Sequence, residues 1–595
     1  MCAEPSADPR AGPSRSRWAP GLALLALLMA AAALLWPTVR ASTPQAKDPH
    51  AELLAQTSYP TASQCATCHA RIYSEWASSS HAYASISPMF HKFEQAMNDL
   101  SSGTLRAFCV RCHQQVGTQL GEERWRPLWS RSEVAREGVT CITCHRISEQ
   151  YGKSNGERSI VPGDIHAPVS GVGGGQGLAE VLSQRDGYRV STGPSERGTK
   201  IHLGVFKLDQ LSKSEFCVSC HQVAVHPGIK LEVVWDQFRA SPAQAAGITC
   251  QDCHMGRTPG VANGYDTGPS AVVNGKPINP GRKRSNHAFY GPGYPIAHPG
   301  IFPINPKASK IDIRDWLQFD HRAGWGKPEF EDRVESGSVK VQFPARWADR
   351  IDREEAREIV EENLKRLEEK RTLRRQVMEN GSRIDGPFFT ETPRAGSKLS
   401  FSYRITNTNS GHNLPSGSLG AQPEIWLNVA LIAPDGKTVW ESGHVDSNGD
   451  MADLHSLDVR AGRMPRDDQL VNLQTKFLTQ NVKGTDREVY VPVNFDIDPL
   501  PFFRPATVPT TVLNKPPGIR MEARSIPPLG VRTARYEVPA AVMRQPGKYR
   551  LAVRLRSRAE PIYFMKFVKA TREMEQAMNE WMIDIHPYSV AFDVR

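Results

Sequence analysis

Ten of the eleven cysteines in this 595-residue chain form five pairs of one spacing, and each pair is followed at once by histidine. The five read Cys65-Ala-Thr-Cys68-His69, Cys109-Val-Arg-Cys112-His113, Cys141-Ile-Thr-Cys144-His145, Cys217-Val-Ser-Cys220-His221 and Cys250-Gln-Asp-Cys253-His254. Two thiols at this spacing can add to the two vinyl groups of one porphyrin, and the adjacent imidazole then stands over the iron as its proximal ligand. A zinc knuckle or a redox dithiol also uses Cys-x-x-Cys, but neither requires histidine next. The chain has 18 histidines, so five such followers arise by chance with a probability on the order of 10⁻⁸. The pattern predicts five covalently bound haem c groups. Only Cys2 is left over, before an apolar run, and it has no assigned role.

The elements that must position these sites come next. Tyr73 and Trp76 follow His69 by four and seven residues, which puts all three on one helix face able to cover a porphyrin. The run continues to Ser79 and His81, so the first site reads Cys-x-x-Cys-His-x3-Tyr-x2-Trp-x2-Ser-x-His. It resembles the opening of the tetrahaem cytochromes c that accept electrons in hydroxylamine oxidation, and the wider set of exported multihaem cytochromes built on that haem arrangement. Gly138-Val-Thr-Cys141 and Gly247-Ile-Thr-Cys250 look like later sites of the same group, within a resemblance covering roughly residues 61–300. The fifth motif departs from the tetrahaem pattern. Trp129 and Trp235 precede these two glycines, an echo that suggests a duplicated unit of helix, turn and haem site.

The resemblance implies His81 and His287 as distal ligands. His287 lies in Asn286-His287-Ala-Phe-Tyr290, with Asn286 and Tyr290 as groups to orient its ring. His166, His202 and His226 are the next candidates, ahead of His91, His298 and His321 in the same region. A second imidazole on each iron gives a six-coordinate haem suited to electron transfer.

Net charge is +10 and hydrophobic content 39%. The positive balance favours redox partner proteins with acidic docking surfaces. It does not favour nucleic acid, because the charge is dispersed and no basic helix carries interleaved aromatics. Residues 1–41 have the form of a secretory signal: Arg10, Arg15 and Arg17, an Ala/Leu run from Gly21 to Trp36, then Val39-Arg40-Ala41. The signal is either cleaved or retained as a membrane anchor through residues 19–37. Both readings imply a periplasmic or cell-surface protein.

Residues 42–60 read as a linker and 61–330 as a pentahaem domain, mostly helical and irregular. A connecting segment, 331–395, contains a long amphipathic helix from Arg353 to Asn380. Its apolar stripe is Ile359, Val360, Leu364, Leu367 and Val377, with Gly381 as the stop. Residues 396–595 lack cysteine and predict a β-sandwich-like domain. Its strands are expected at 399–406, at 424–433 and 437–442 around Pro434-Asp435-Gly436, at 549–555 and at 589–594, with a helix at 571–585. Within it Gly411-His412-Asn413-Leu414-Pro415-Ser416-Gly417 reads as a tight, capped loop, or as a loop that offers His412 to a haem across the domain boundary.

The composite expectation is an electron-transfer cytochrome with five closely spaced, mostly bis-histidine haems. Two rivals differ in class. One is a haem oxidoreductase with an open iron site that acts on a small nitrogen or sulfur compound. The other is a haem-stapled filament or adhesion subunit.

Overall fold

The computed structural model describes residues 59–595 apart from 101–102, 104–106, 150–154, 157, 194, 226–228, 418–422, 454, 475, 480–488, 492–518 and 523. The N-terminal signal or anchor, most of the linker, and His226 lie outside the described residues. Among those described, no helix is long and apolar enough to cross a membrane.

The haem region is built from short pieces. Helix α1, Ala62–Ala77, opens on Thr61, whose backbone N–H donates to the Gln64 side chain at 3.0 Å. His69 interrupts it with non-helical angles (φ −117°, ψ 40°), so the first motif ends at a kink. Beyond the kink Tyr73 and Trp76 are buried side by side, their rings 5.8 Å apart; Trp76 lines the cavity of the motifs and Tyr73 does not. The Trp76 indole N–H donates to the Val139 carbonyl at 2.8 Å, which joins α1 to the approach to the third motif. Helix α2 spans Pro88–Leu100. The other four motifs end in single-turn helices: Val110–His113, Cys141–His145, Val218–His221 and Cys250–His254.

Gly138 and Gly247, which precede two of those turns, both hold left-handed backbone (φ 67° and 72°), followed by a threonine at the helix start. Gly138 is also constrained by space. A Cβ there would lie 2.6 Å from the His81 carbonyl oxygen, so no other residue fits without displacing His81.

Helix α3, Arg350–Asn380, is capped by Asp349, whose side chain accepts from the Ile351 N–H. It starts three residues before the expected boundary. Its buried face carries Ala356, Val360, Leu367 and Met378, but also Arg353, Asn363, Lys370 and Arg374. These polar groups are paired, as burial requires. Arg353 meets the fully buried Glu331 carboxylate and the Trp347 carbonyl. Asn363 donates to the Pro299 carbonyl at 2.7 Å, and Lys370 reaches the Ser80 hydroxyl at 3.4 Å. Arg374 donates to the carbonyls of Trp581 (2.9 Å) and Ser557 (3.0 Å). Asn363 and Lys370 bond to the haem region and Arg374 to the β region, while Arg353 bonds within the connecting segment, so α3 is a spine between the two regions.

The β region begins inside the expected connector. Strands β1 (Ser382–Phe389), β2 (Leu399–Asn407), β3 (Glu424–Ile432), β4 (Thr438–Ser442), β5 (Val471–Asn472), β6 (Val531–Val538), β7 (Gly547–Arg558) and β8 (Ile583–Val594) form two antiparallel sheets. One has the order β1-β2-β6; the other is β4-β3-β7-β8, with β5 also on β3. Leu399, Phe401, Tyr403 and Ile405 from the first share one core with Ile425, Leu427, Val429 and Leu431 from the second. Between β7 and β8 lie α4 (Ile562–Phe567) and α5 (Arg572–Glu580). The expected helix to 585 ends at Glu580 because Ile583 and Ile585 alternate inward as strand residues. Ile562, Phe564 and Met565 of α4 pack with Tyr73, Trp76 and Met89 of the haem region.

Candidate haem-binding site

The four motifs that begin at Cys65, Cys109, Cys141 and Cys217 converge on one branched cavity of about 1360 Å³, lined by both cysteines and the histidine of each. Thr249, Gln251, Asp252 and Met255, within and beside the fifth motif, also line it. Its walls are largely apolar, including Ile72, Trp76, Phe90, Val181, Phe216 and Val273.

The motif histidines are oriented by the main chain. Nδ1 of His69 lies 2.9 Å from the Ser270 carbonyl oxygen, that of His113 3.2 Å from Ala84, that of His145 2.9 Å from Ser170, and that of His254 2.5 Å from Tyr290. Each ring thereby commits Nδ1–H as a donor and leaves Nε2 as the free lone pair, the tautomer that binds a metal. Loss of water pushes all of these imidazoles below the usual range, with His113 and His221 falling to about 4, which keeps them neutral. Neutral, oriented imidazoles beside paired thiols in an apolar cavity fit covalently held haem.

Three of the five face a second histidine. His221 and His81 have ring centres 6.3 Å apart, His145 and His287 6.5 Å, and His254 and His412 6.1 Å. Two imidazoles bound on opposite sides of one iron, each through a bond of about 2 Å, have ring centres roughly 6 Å apart. Burial lowers His81 and His287 to about 3 and His412 to about 4, so the second members are neutral too. The His287 segment is held by Glu75 of α1, which accepts from the His287 N–H at 3.0 Å and pairs with Arg284. The groups expected to orient His287 are not the ones that do so. Its Nδ1 meets the Ser285 carbonyl at 3.1 Å, while Tyr290 offers its carbonyl to His254.

His202 lines the cavity as an electrostatic neighbour of His69 and is lowered to about 4, chiefly by burial. His166 is buried, with Nδ1 on Asp164 at 3.0 Å and a buried Nε2 without a hydrogen-bond partner; its carbonyl accepts from the Leu203 N–H beside His202. The ring against His113 is that of Phe90, stacked at 4.1 Å, and the nearby His91 spends Nε2 on the Ser85 carbonyl at 2.8 Å. His298 likewise directs Nε2 to the Phe319 carbonyl and stands edge-on to His321.

The thiols show which motifs are neighbours. Cys65 is the immediate electrostatic neighbour of Cys141, Cys112 of Cys220, and Cys217 of Cys250. Cys144 is an electrostatic neighbour of Cys217 and Cys220, with Arg158 among them. The first motif therefore adjoins the third, and the fourth adjoins the second, third and fifth. Nothing in the linear spacing signalled this order.

Residues 64–146, which hold the first three motifs, match the family model described as Cytochrome c554 and c-prime. A penta-heme cytochrome c552 from Thermochromatium tepidum is similar over 89% of this chain and 98% of its own, at 15% identity and a TM-score of 0.47. The alkylpurine DNA glycosylase AlkC of Pseudomonas fluorescens, bound to DNA containing an abasic site analog, is similar over 49% of this chain and 52% of its own, at 10% identity and a TM-score of 0.12. With TM-scores below 0.5, neither likeness bears on fold or function. No curated protein matches the chain. Over residues 64–146 the motifs and the family match agree on a c-type cytochrome segment.

Proposed function

We propose that the chain is an exported five-haem cytochrome c that carries electrons between partner proteins along closely spaced, mostly bis-histidine haems. The observation that carries this reading is the repeated facing of a motif histidine by a second, neutral histidine at 6.3 and 6.5 Å, in the pairs His221 with His81 and His145 with His287. Haem supplies the one-electron chemistry when bound. The chain supplies ten thiols for attachment, His69, His113, His145, His221 and His254 as proximal ligands, and His81 and His287 as distal ligands. His202 is the candidate opposite His69, with His166 beside it and His226 in reserve. Adjacency of the thiols supports a branched route in which the fourth site joins the second, third and fifth. Net positive charge supports an acidic partner surface, and the N-terminal segment supports export.

The test is a haem count with a spectrum. The pyridine haemochrome ratio should be five per chain, and His287→Ala should turn one haem from low to high spin without changing that ratio. Three haems or fewer in mature protein would defeat the reading.

One observation favours a second reading. Among the described residues no histidine ring is paired with that of His113, and His91 is committed to a backbone carbonyl. The second site is thus the place for an open iron and for oxidoreductase chemistry on a small nitrogen or sulfur compound. A high-spin ferric signal in the wild type, lost in Cys109→Ser, would support it.

A further inference from the structure

We infer that His412, carried by the β region, is the sixth ligand of the haem attached at Cys250 and Cys253, so that this haem is completed by two regions of the chain. The inference rests on the five-haem reading and extends it to a residue outside the haem region.

His254 and His412 face each other with ring centres 6.1 Å apart and planes 19° apart, the most nearly parallel of the three facing pairs. His254 gives Nδ1 to the Tyr290 carbonyl, and His412 gives Nδ1 to the Asn413 carbonyl at 3.0 Å. Neither Nε2 is given to a backbone carbonyl; among the described residues His412 Nε2 meets only the Asn409 amide at 3.4 Å, a long contact.

The loop that presents His412 is built to hold it still. Buried Asn407 donates to the carbonyls of His412 (3.0 Å), Ile526 (3.0 Å) and Pro527 (3.1 Å). Leu414 and Ile526 exchange backbone hydrogen bonds at 2.9 Å. The Asn409 side chain accepts from the Gly411 N–H.

The same loop is docked on the haem region. Gln237, just before the fifth motif, accepts from the Asn413 N–H at 3.2 Å and from the Ser416 hydroxyl at 2.7 Å. The Ala243 N–H donates to the Ser410 carbonyl at 3.1 Å. A capped loop with a purely internal role needs none of these contacts and has no reason to aim an imidazole at His254. A haem ligated from both sides ties the docking of the β region to the ligand field of one iron.

The experiment uses the full-length, haem-loaded protein. His412→Gly should leave five haems attached and turn one further haem high-spin in the ferric optical and EPR spectra. Added imidazole should restore the low-spin form. His412→Met is the second variant, in case the glycine protein does not accumulate. It should keep every haem attached and raise the midpoint potential of one of them, because thioether replaces imidazole. An unchanged spectrum in a fully loaded glycine variant overturns the inference, as does an unchanged set of potentials in the methionine variant. Three haems or fewer in the wild type would instead overturn the functional reading, so the two failures are distinguishable.

Discussion

The two halves of this molecule are organised on opposite principles. The β region closes on itself: strands of up to twelve residues alternate inward and outward around a core of Leu, Val, Ile and Tyr. The haem region does the reverse. Four of its five attachment motifs end in helices of four or five residues, too short to be stable alone. Its interior is a cavity lined by cysteines and histidines. In one half periodic hydrophobicity specifies the fold; in the other, the attachment points of cofactors do. The α3 spine, with buried cations bonded to each side, joins the two halves, as do α4 and the His412 loop.

The largest expected effect separates them completely. With all ten motif cysteines changed to serine, hydrogen exchange over 59–330 should approach unprotected rates while β2, β3, β7 and β8 stay protected. Equal protection in both halves would contradict the contrast.

The converse break is Glu424→Ala. It strands the Arg558 guanidinium, 1% exposed, without its carboxylate. Removing one partner of a buried pair typically costs 3–5 kcal/mol, so the β sheets should lose protection. The haem spectrum of the folded protein should not change, and a shifted spectrum would show that the regions are not separable in this way.

A pH experiment probes the haem half. Burial raises the Glu137 carboxyl to about 8, although the Thr140 hydroxyl and the Ala62 N–H donate to it and pull the other way. A carboxyl with a raised folded-state pKa favours folding while protonated. Stability should therefore fall as pH rises from about 4.5 to about 8, by at most about 5 kcal/mol. Glu137→Gln should flatten that slope in denaturation curves taken at pH 5 and pH 9. An identical slope in the variant would remove Glu137 as its source.

The smallest effect tests the spine. Arg374→Met removes the hydrogen bonds to Trp581 and Ser557 and should cost about 1–3 kcal/mol. Thermal unfolding should broaden or split into two transitions. A single sharp transition at a lower temperature would mean that other contacts couple the halves.

How much of this was legible follows the same division. The attachment motifs carry their chemistry in five consecutive residues, so they could be read directly. The strands 399–407 and 424–432 announce themselves by alternation, and α3 by its length. The sequence names His81, His287 and His412 as candidates, but which motif histidine each one faces could not be read, because the partner comes from a distant part of the chain: His81 faces His221 and His412 faces His254. His412 reads as a turn residue in its glycine- and proline-rich loop, and only the ring opposite it distinguishes the two roles. On α3 the charge run reads as a solvated face, yet Arg353, Lys370 and Arg374 sit on the buried stripe. Charge at helical spacing does not say which cations have partners waiting.

The way the motif histidine rings are held has an evolutionary consequence. His69, His113, His145 and His254 lean on carbonyl oxygens of Ser270, Ala84, Ser170 and Tyr290, not on side chains. Every amino acid has a carbonyl, so mutation at those four positions cannot delete the acceptor. Ligand geometry is inherited through the path of the backbone, and the letters along that path are free to drift. Two chains can hold their irons alike after nearly every recognisable residue outside Cys-x-x-Cys-His has diverged.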